Sequence, residues 1–206
     1  MEIITDFYLF MLSVVAISLS GVMSPGPLFA VTIAKASKDK RAGLLISLGH
    51  GAVEFPLMLL IYFGFNWLFT LPPIQRTVSL VGGFIMIYMG IQMLRTRKEN
   101  GDETTFSRHS SMVSAILATS ANPYFILWWA TIGAALVTNA ALFGPVGFAV
   151  FSVTHWLCDL LWNTFVSITV FKSKRFWTQK VRSIVFGFCF VTLTAFGVWF
   201  IISTML

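Results

Sequence analysis

At 206 residues the chain is 57% hydrophobic and only 11% charged, with 21 Phe and 7 Trp, which is too apolar for a soluble domain built on one core. Its formal net charge of +6 would suit a nucleic-acid partner, but the basic residues are strung between apolar runs, so nucleic acid is excluded as the partner. The composition is that of a membrane protein.

Apolar runs bounded by charge or turn residues lie at about 7–34, 42–70, 74–94, 112–138, 144–171 and 183–205. Each reaches the roughly 20 residues that a helix needs to cross a bilayer, so the expected fold is an all-α membrane protein with six transmembrane helices. The first run follows Met1-Glu2-Ile3-Ile4-Thr5-Asp6. That start lacks the positive region and cleavage site of a secretory signal, so the run is read as a retained span. Ser24-Pro25-Gly26-Pro27 interrupts it, and Ser120-Ala121-Asn122-Pro123 interrupts the fourth run. Proline removes a backbone donor and clashes with the preceding turn, so spans 1 and 4 are expected to break. Lipid forbids unsatisfied backbone, and such breaks occur where protein or a polar cavity covers the gap, as at transport sites. The simpler reading is that Pro25, Pro27 and Pro123 only kink helices to suit packing.

Thirteen of the 14 Lys and Arg residues fall between spans 1 and 2, 3 and 4, or 5 and 6, with Arg76 alone on the other side. By the positive-inside rule those three loops are cytoplasmic and both termini face out. Cys158 and Cys189 lie inside spans 5 and 6 and are read as small packing residues. The polar stretch 96–111 is a cytoplasmic linker that divides residues 1–95 from residues 112–206, three spans from three. Because three is odd, the second set enters the membrane from the opposite side, and the two sets are expected to form inverted three-helix repeats. Span 2 carries His50 and Glu54 and span 5 carries His155 and Asp159, both pairs spaced i, i+4 on one helix face. The runs Gly82-Gly83 and Gly133-Ala134-Ala135 suit close helix contact, within the chain or in a homodimer.

The Ser-Pro-Gly-Pro of span 1, the short basic loop and Gly-rich second span after it (Gly43, Gly49, Gly51), the Asn-Pro of span 4 and Asp159-Leu160-Leu161-Trp162 together resemble the LysE/RhtB family of amino-acid exporters. The resemblance covers nearly the whole chain. It implies a six-helix carrier of a prokaryotic cytoplasmic membrane that moves amino acids or related small metabolites outward, driven by an ion gradient. Members often have Lys after Asn-Pro, where this chain has Tyr124.

Glu54 and Asp159 are the only acids within spans. At about 1.5 Å per residue they lie about 18 Å and 22 Å into their helices, near the middle of the bilayer. An ionisable group there is costly and is normally paired or facing water. A His one turn away can bind and pass a proton near neutral pH, so His50, Glu54, His155 and Asp159 are assigned as the proton-coupling groups of an antiporter. The alternatives are a protonated carboxyl bonded to a neighbouring helix, and imidazoles that merely satisfy buried polar groups. A restarted half-helix offers free N–H groups and the positive end of its dipole to a carboxylate. Ser24, Pro25, Gly26, Pro27, Asn122 and Pro123 are therefore assigned to substrate binding, with Trp162, one turn after Asp159, as an aromatic wall. Trp128, Trp129, Trp156 and Tyr124 lie near these elements, and one or two of them could also wall the pocket. No cofactor, resident metal or enzymatic activity is expected, for no His-Glu-x-x-His, Gly-x-Ser-x-Gly or nucleotide-binding loop occurs. The competing reading is a divalent-metal transporter that uses the same His and acid pairs as N/O ligands.

Overall fold

A computed structural model describes residues 4–24, 26–98, 109–173 and 178–204. The described residues form ten α-helices and one π-helical turn. Helix α1 (Phe7–Val22) starts where the Asp6 carboxylate accepts the Leu9 amide at 2.8 Å, a side-chain cap on its first turn. The chain then turns by 72° and restarts as α2 (Pro27–Ala36), with Pro27 in the first turn, where its missing N–H costs nothing. Together α1 and α2 make one bent apolar segment in the place expected for span 1.

Helix α3 (Ala42–Tyr62) is shorter than the expected run to residue 70. It stops because Gly64 adopts a left-handed φ of 89°. The Gly64 amide then reaches Ile61 O and the Phe65 amide reaches Leu60 O, both at 3.0 Å, a double bond pattern that closes a helix end. A short α4 (Asn66–Thr70) follows, then α5 (Pro72–Lys98). The expected linker lies largely in residues 99–108, outside the described residues.

The fourth run is built from several pieces. Helix α6 (Ser111–Ser120) ends three residues before Pro123, and α7 (Pro123–Trp128) restarts the chain. One π-helical turn (Trp129–Gly133) leads into α8 (Ala134–Ala141). Gly133 is required there, since a Cβ at that position would lie 2.3 Å from Trp129 Cε3. Helices α9 (Gly144–Lys172) and α10 (Gln179–Ile202) complete the chain. By length and apolarity five helices can each cross a membrane, or six crossings if the bent α1–α2 pair is counted as one. The protein is thus an all-helical, multi-pass membrane protein among its described residues.

Two apolar clusters hold the bundle together. One joins α2 and the start of α3 (Ala42, Ile46) to Met86, Met89, Ala115, Phe186 and Leu193. The other joins α1 (Phe10, Val14) to the end of α3 (Met58, Ile61), Trp129 and the start of α9 (Phe148, Phe151). Between them, His50 and Glu54 on α3 and His155 and Asp159 on α9 form a buried polar layer. Close approach of backbones frames it. A Cβ on Gly43 would sit 2.2 Å from Asn163 O, so only glycine lets α3 and α9 meet there. Helices α5 and α10 pack mainly on each other, and Gly83 and Gly197 each face the other's carbonyl oxygen. Gly82 faces the Pro123 ring. The small residues at 82 and 83 are therefore consumed by contacts within the chain, where the sequence had left a homodimer contact open.

Candidate functional site

The i, i+4 spacing on α3 and on α9 points both pairs inward, and the facing helices bring all four groups together. Glu54, 1% exposed, accepts hydrogen bonds on a single oxygen, Oε1, from His50 Nε2 at 3.1 Å and from His155 Nε2 at 3.2 Å. Its other oxygen, Oε2, is buried without a hydrogen-bond partner. The Asp159 carboxylate approaches the same two ring nitrogens, with Oδ1 3.8 Å from His50 Nε2 and Oδ2 3.8 Å from His155 Nε2. Two rings thus stand between two carboxylates, closer to Glu54 than to Asp159.

The far nitrogens of both rings meet hydroxyls, and they do so crosswise. His50 Nδ1 lies 2.9 Å from Thr119 Oγ1 on α6, in the second half of the chain. His155 Nδ1 lies 2.7 Å from Ser18 Oγ on α1, in the first half. A hydroxyl both donates and accepts, so it can donate to Nδ1 of a neutral ring or accept from Nδ1–H of a charged one. The partner stays satisfied in either protonation state, which a carbonyl or an ammonium could not manage. Aromatic rings hold the imidazoles in place: Trp128 stacks on His155 at 5.5 Å, Trp129 meets it edge-on at 5.0 Å, and Phe125 meets His50 edge-on at 5.3 Å.

Beside this cluster is a cavity of about 240 Å³. His50, Glu54, His155 and Asp159 line it, as do Ser18, Ser24, Gly26, Pro27, Leu28 and Phe29 from the first break and Asn122, Tyr124 and Phe125 from the second. The two breaks differ in how they are capped. Asn122 Oδ1 accepts the Tyr124 amide at 3.1 Å, so α7 is closed by its own chain. Gly26 has no side chain to offer, and α2 begins without a side-chain cap. The first-turn N–H groups of α2 therefore border the cavity with the positive end of the helix dipole behind them.

Of the residues assigned from sequence, Ser24, Gly26, Pro27, Asn122, His50, Glu54, His155 and Asp159 all line this one cavity. Pro25 lies outside the described residues. Pro123 is not among the lining residues; its ring packs where Gly82 leaves room. Trp162 does not line the cavity either: its ring lies 5.9 Å from Phe165 and its Nε1 is buried without a partner. Helical phase explains this, because Trp162 is three residues past Asp159 on a face turned about 60° away. Trp128 and Trp129 take the aromatic position instead. Ser18 and Thr119 went unassigned in the sequence, because their helices carry other hydroxyls as well, Ser13 and Ser20 on α1 and Ser111, Ser114 and Ser120 on α6, and nothing local singles these two out.

The chain matches the LysE type translocator family over residues 19–204, and it belongs to that family. It is similar, at 27% identity over 195 residues and covering 92% of this chain and 93% of the other, to the Bacillus subtilis (strain 168) protein named "Putative amino acid efflux protein YcgF". It is also 32% identical over 117 residues to a Haemophilus influenzae (strain ATCC 51907 / DSM 11121 / KW20 / Rd) protein named "Uncharacterized membrane protein", covering 52% of this chain and 54% of that one. No solved structure matches the chain.

Proposed function

We propose that the chain is a secondary exporter of amino acids or related small metabolites in the cytoplasmic membrane of a prokaryote, working by proton antiport. Membership of a translocator family and similarity to a protein named for amino acid efflux support the class of cargo. The observation that carries the mechanism is the unshared oxygen of Glu54. Oε1 takes both imidazoles, while Oε2 is buried and unpartnered in a residue that lines the cavity. A buried carboxylate oxygen without a donor is costly, and a substrate ammonium satisfies it. The substrate carboxylate then takes the uncapped N-terminus of α2, at the same cavity.

Proton coupling follows from competition. With substrate bound, its ammonium neutralises Glu54; with substrate gone, a proton on the His and acid cluster does the same work. The hydroxyls of Ser18 and Thr119 keep both rings bonded through that change. Alternating access is supported by the crosswise pairing, His50 with α6 and His155 with α1, which is the relation that two inverted halves, 1–95 and 112–206, would produce. Cytoplasmic basic loops and outward-facing termini complete the reading. The test is counterflow of amino acids in liposomes with and without an imposed pH gradient. Glu54→Gln and Asp159→Asn should each abolish gradient-driven flux with the protein still in the membrane, and unaltered flux in both would remove the proposal.

A second reading keeps the site and changes the cargo. His50, Glu54 and Asp159 each offer a ligand atom within 4.8 Å of the others, and this N/O set suits Zn or Mn. Metal flux in the same liposomes, with no exchange of any amino acid, would decide for that reading.

A further inference from the structure

We propose that the substrates of this cavity are neutral amino acids with apolar side chains, and that Met86 and Phe196 form the wall that selects them. This rests on the proposed function, whose zwitterion anchors are Glu54 and the start of α2. Among the described residues, the charged groups around the cavity all come from α3 and α9. Helices α5 and α10, which touch the rest of the bundle mainly through α2, α4 and α7, contribute only Met86 and Phe196 among the described residues. Phe29 and Tyr124 adjoin that wall, with Tyr124 6.5 Å from the Phe196 ring. A substrate anchored by its ammonium and carboxylate thus has an uncharged surface available for its side chain.

The two carboxylates cannot serve the two ammonium groups of a basic amino acid. Glu54 and Asp159 both face the same pair of ring nitrogens, whereas the ammonium groups of lysine are separated by five carbons, Cα and the four-carbon stem. A side-chain carboxylate meets no Lys or Arg among the described lining residues, and the first-turn N–H groups of α2 are taken by the substrate's own α-carboxylate. For apolar side chains each buried methylene favours binding about fourfold. At about 240 Å³ the cavity is below the roughly 300 Å³ where drug-sized pockets begin, which favours one amino acid over a peptide.

The experiment is counterflow with the full chain in liposomes, using leucine, methionine, phenylalanine, lysine and glutamate. Leucine and methionine should exchange at least tenfold faster than lysine or glutamate. Lysine exchange within threefold of leucine would overturn the inference and leave amino acid transport standing; no exchange of any amino acid would overturn both. Two variants test the wall. Met86→Glu should shift the lysine-to-leucine ratio tenfold or more towards lysine. Met86→Ala, which enlarges the wall without adding charge, should shift preference from leucine towards phenylalanine. Wild-type ratios in both, or in Met86→Ala alone should Met86→Glu fail to fold, would show that the side chain lies elsewhere.

Discussion

Removing either hydroxyl behind the imidazoles tests whether the His and acid cluster works as one unit. Thr119→Val replaces the hydroxyl 2.9 Å from His50 Nδ1 with a methyl of similar size, and Ser18→Ala removes the one 2.7 Å from His155 Nδ1. Thr119 is buried and does not line the cavity, so water cannot readily replace its hydroxyl; Ser18 lines the cavity, so water there can take its place and its loss should fall at the lower end of the range. A buried nitrogen left without a partner costs about 1–3 kcal/mol, equivalent to about 5- to 150-fold in the population of the bonded ring orientation. A ring released at Nδ1 also loosens its Nε2 bond to Glu54 Oε1, and both rings share that oxygen. The double variant should therefore depart from the sum of the singles by about 0.5–3 kcal/mol, as expected for residues in one network. The assays are pH-gradient-driven counterflow in liposomes and thermal unfolding in detergent. Each single variant should lose flux within that 5- to 150-fold range with a lowered Tm. Wild-type flux and Tm in both singles, or strict additivity in the double, would refute the coupling.

Three further substitutions probe the frame around the site. Gly133→Ala places a Cβ 2.3 Å from Trp129 Cε3 and should displace the ring that abuts His155, lowering Tm by the equivalent of about 1–3 kcal/mol and reducing counterflow with it. Gly64→Ala meets no atom within 4 Å, so its cost is backbone strain alone at φ 89°, about 1–2 kcal/mol; Tm should fall while substrate preference stays unchanged. Gly43→Ala puts a Cβ 2.2 Å from Asn163 O and must push α3 from α9, two turns before the site. It should weaken counterflow, and restoring glycine at that position should recover it.

Much of the site was legible because its signals are local. A proline can end a helix through its own ring and missing N–H, which is why breaks were expected at Pro25 and Pro123, yet Pro56 sits inside α3 without ending it. An i, i+4 pair shares a helix face whatever surrounds it, so the pairing of His50 with Glu54 and of His155 with Asp159 needed no partner helix. The end of α3 was less legible. Gly64 closes it eight residues before the apolar run stops, because hydropathy cannot see a left-handed φ.

Composition and short-range chemistry alone determined that the chain is helical and spans a membrane, and they raised the expectation of two proline breaks and of four titratable side chains within its spans. Only tertiary structure decided that Glu54 bonds a histidine 101 residues away, that Ser18 and Thr119 back the two rings from opposite halves, and that Trp128 rather than Trp162 walls the cavity. The reason is that helical periodicity orders residues along one axis to within a turn. Which face meets which is set by how closely helices pack, at contacts such as Gly43 on Asn163 and Gly83 on Gly197, and these depend on residues far apart in the chain.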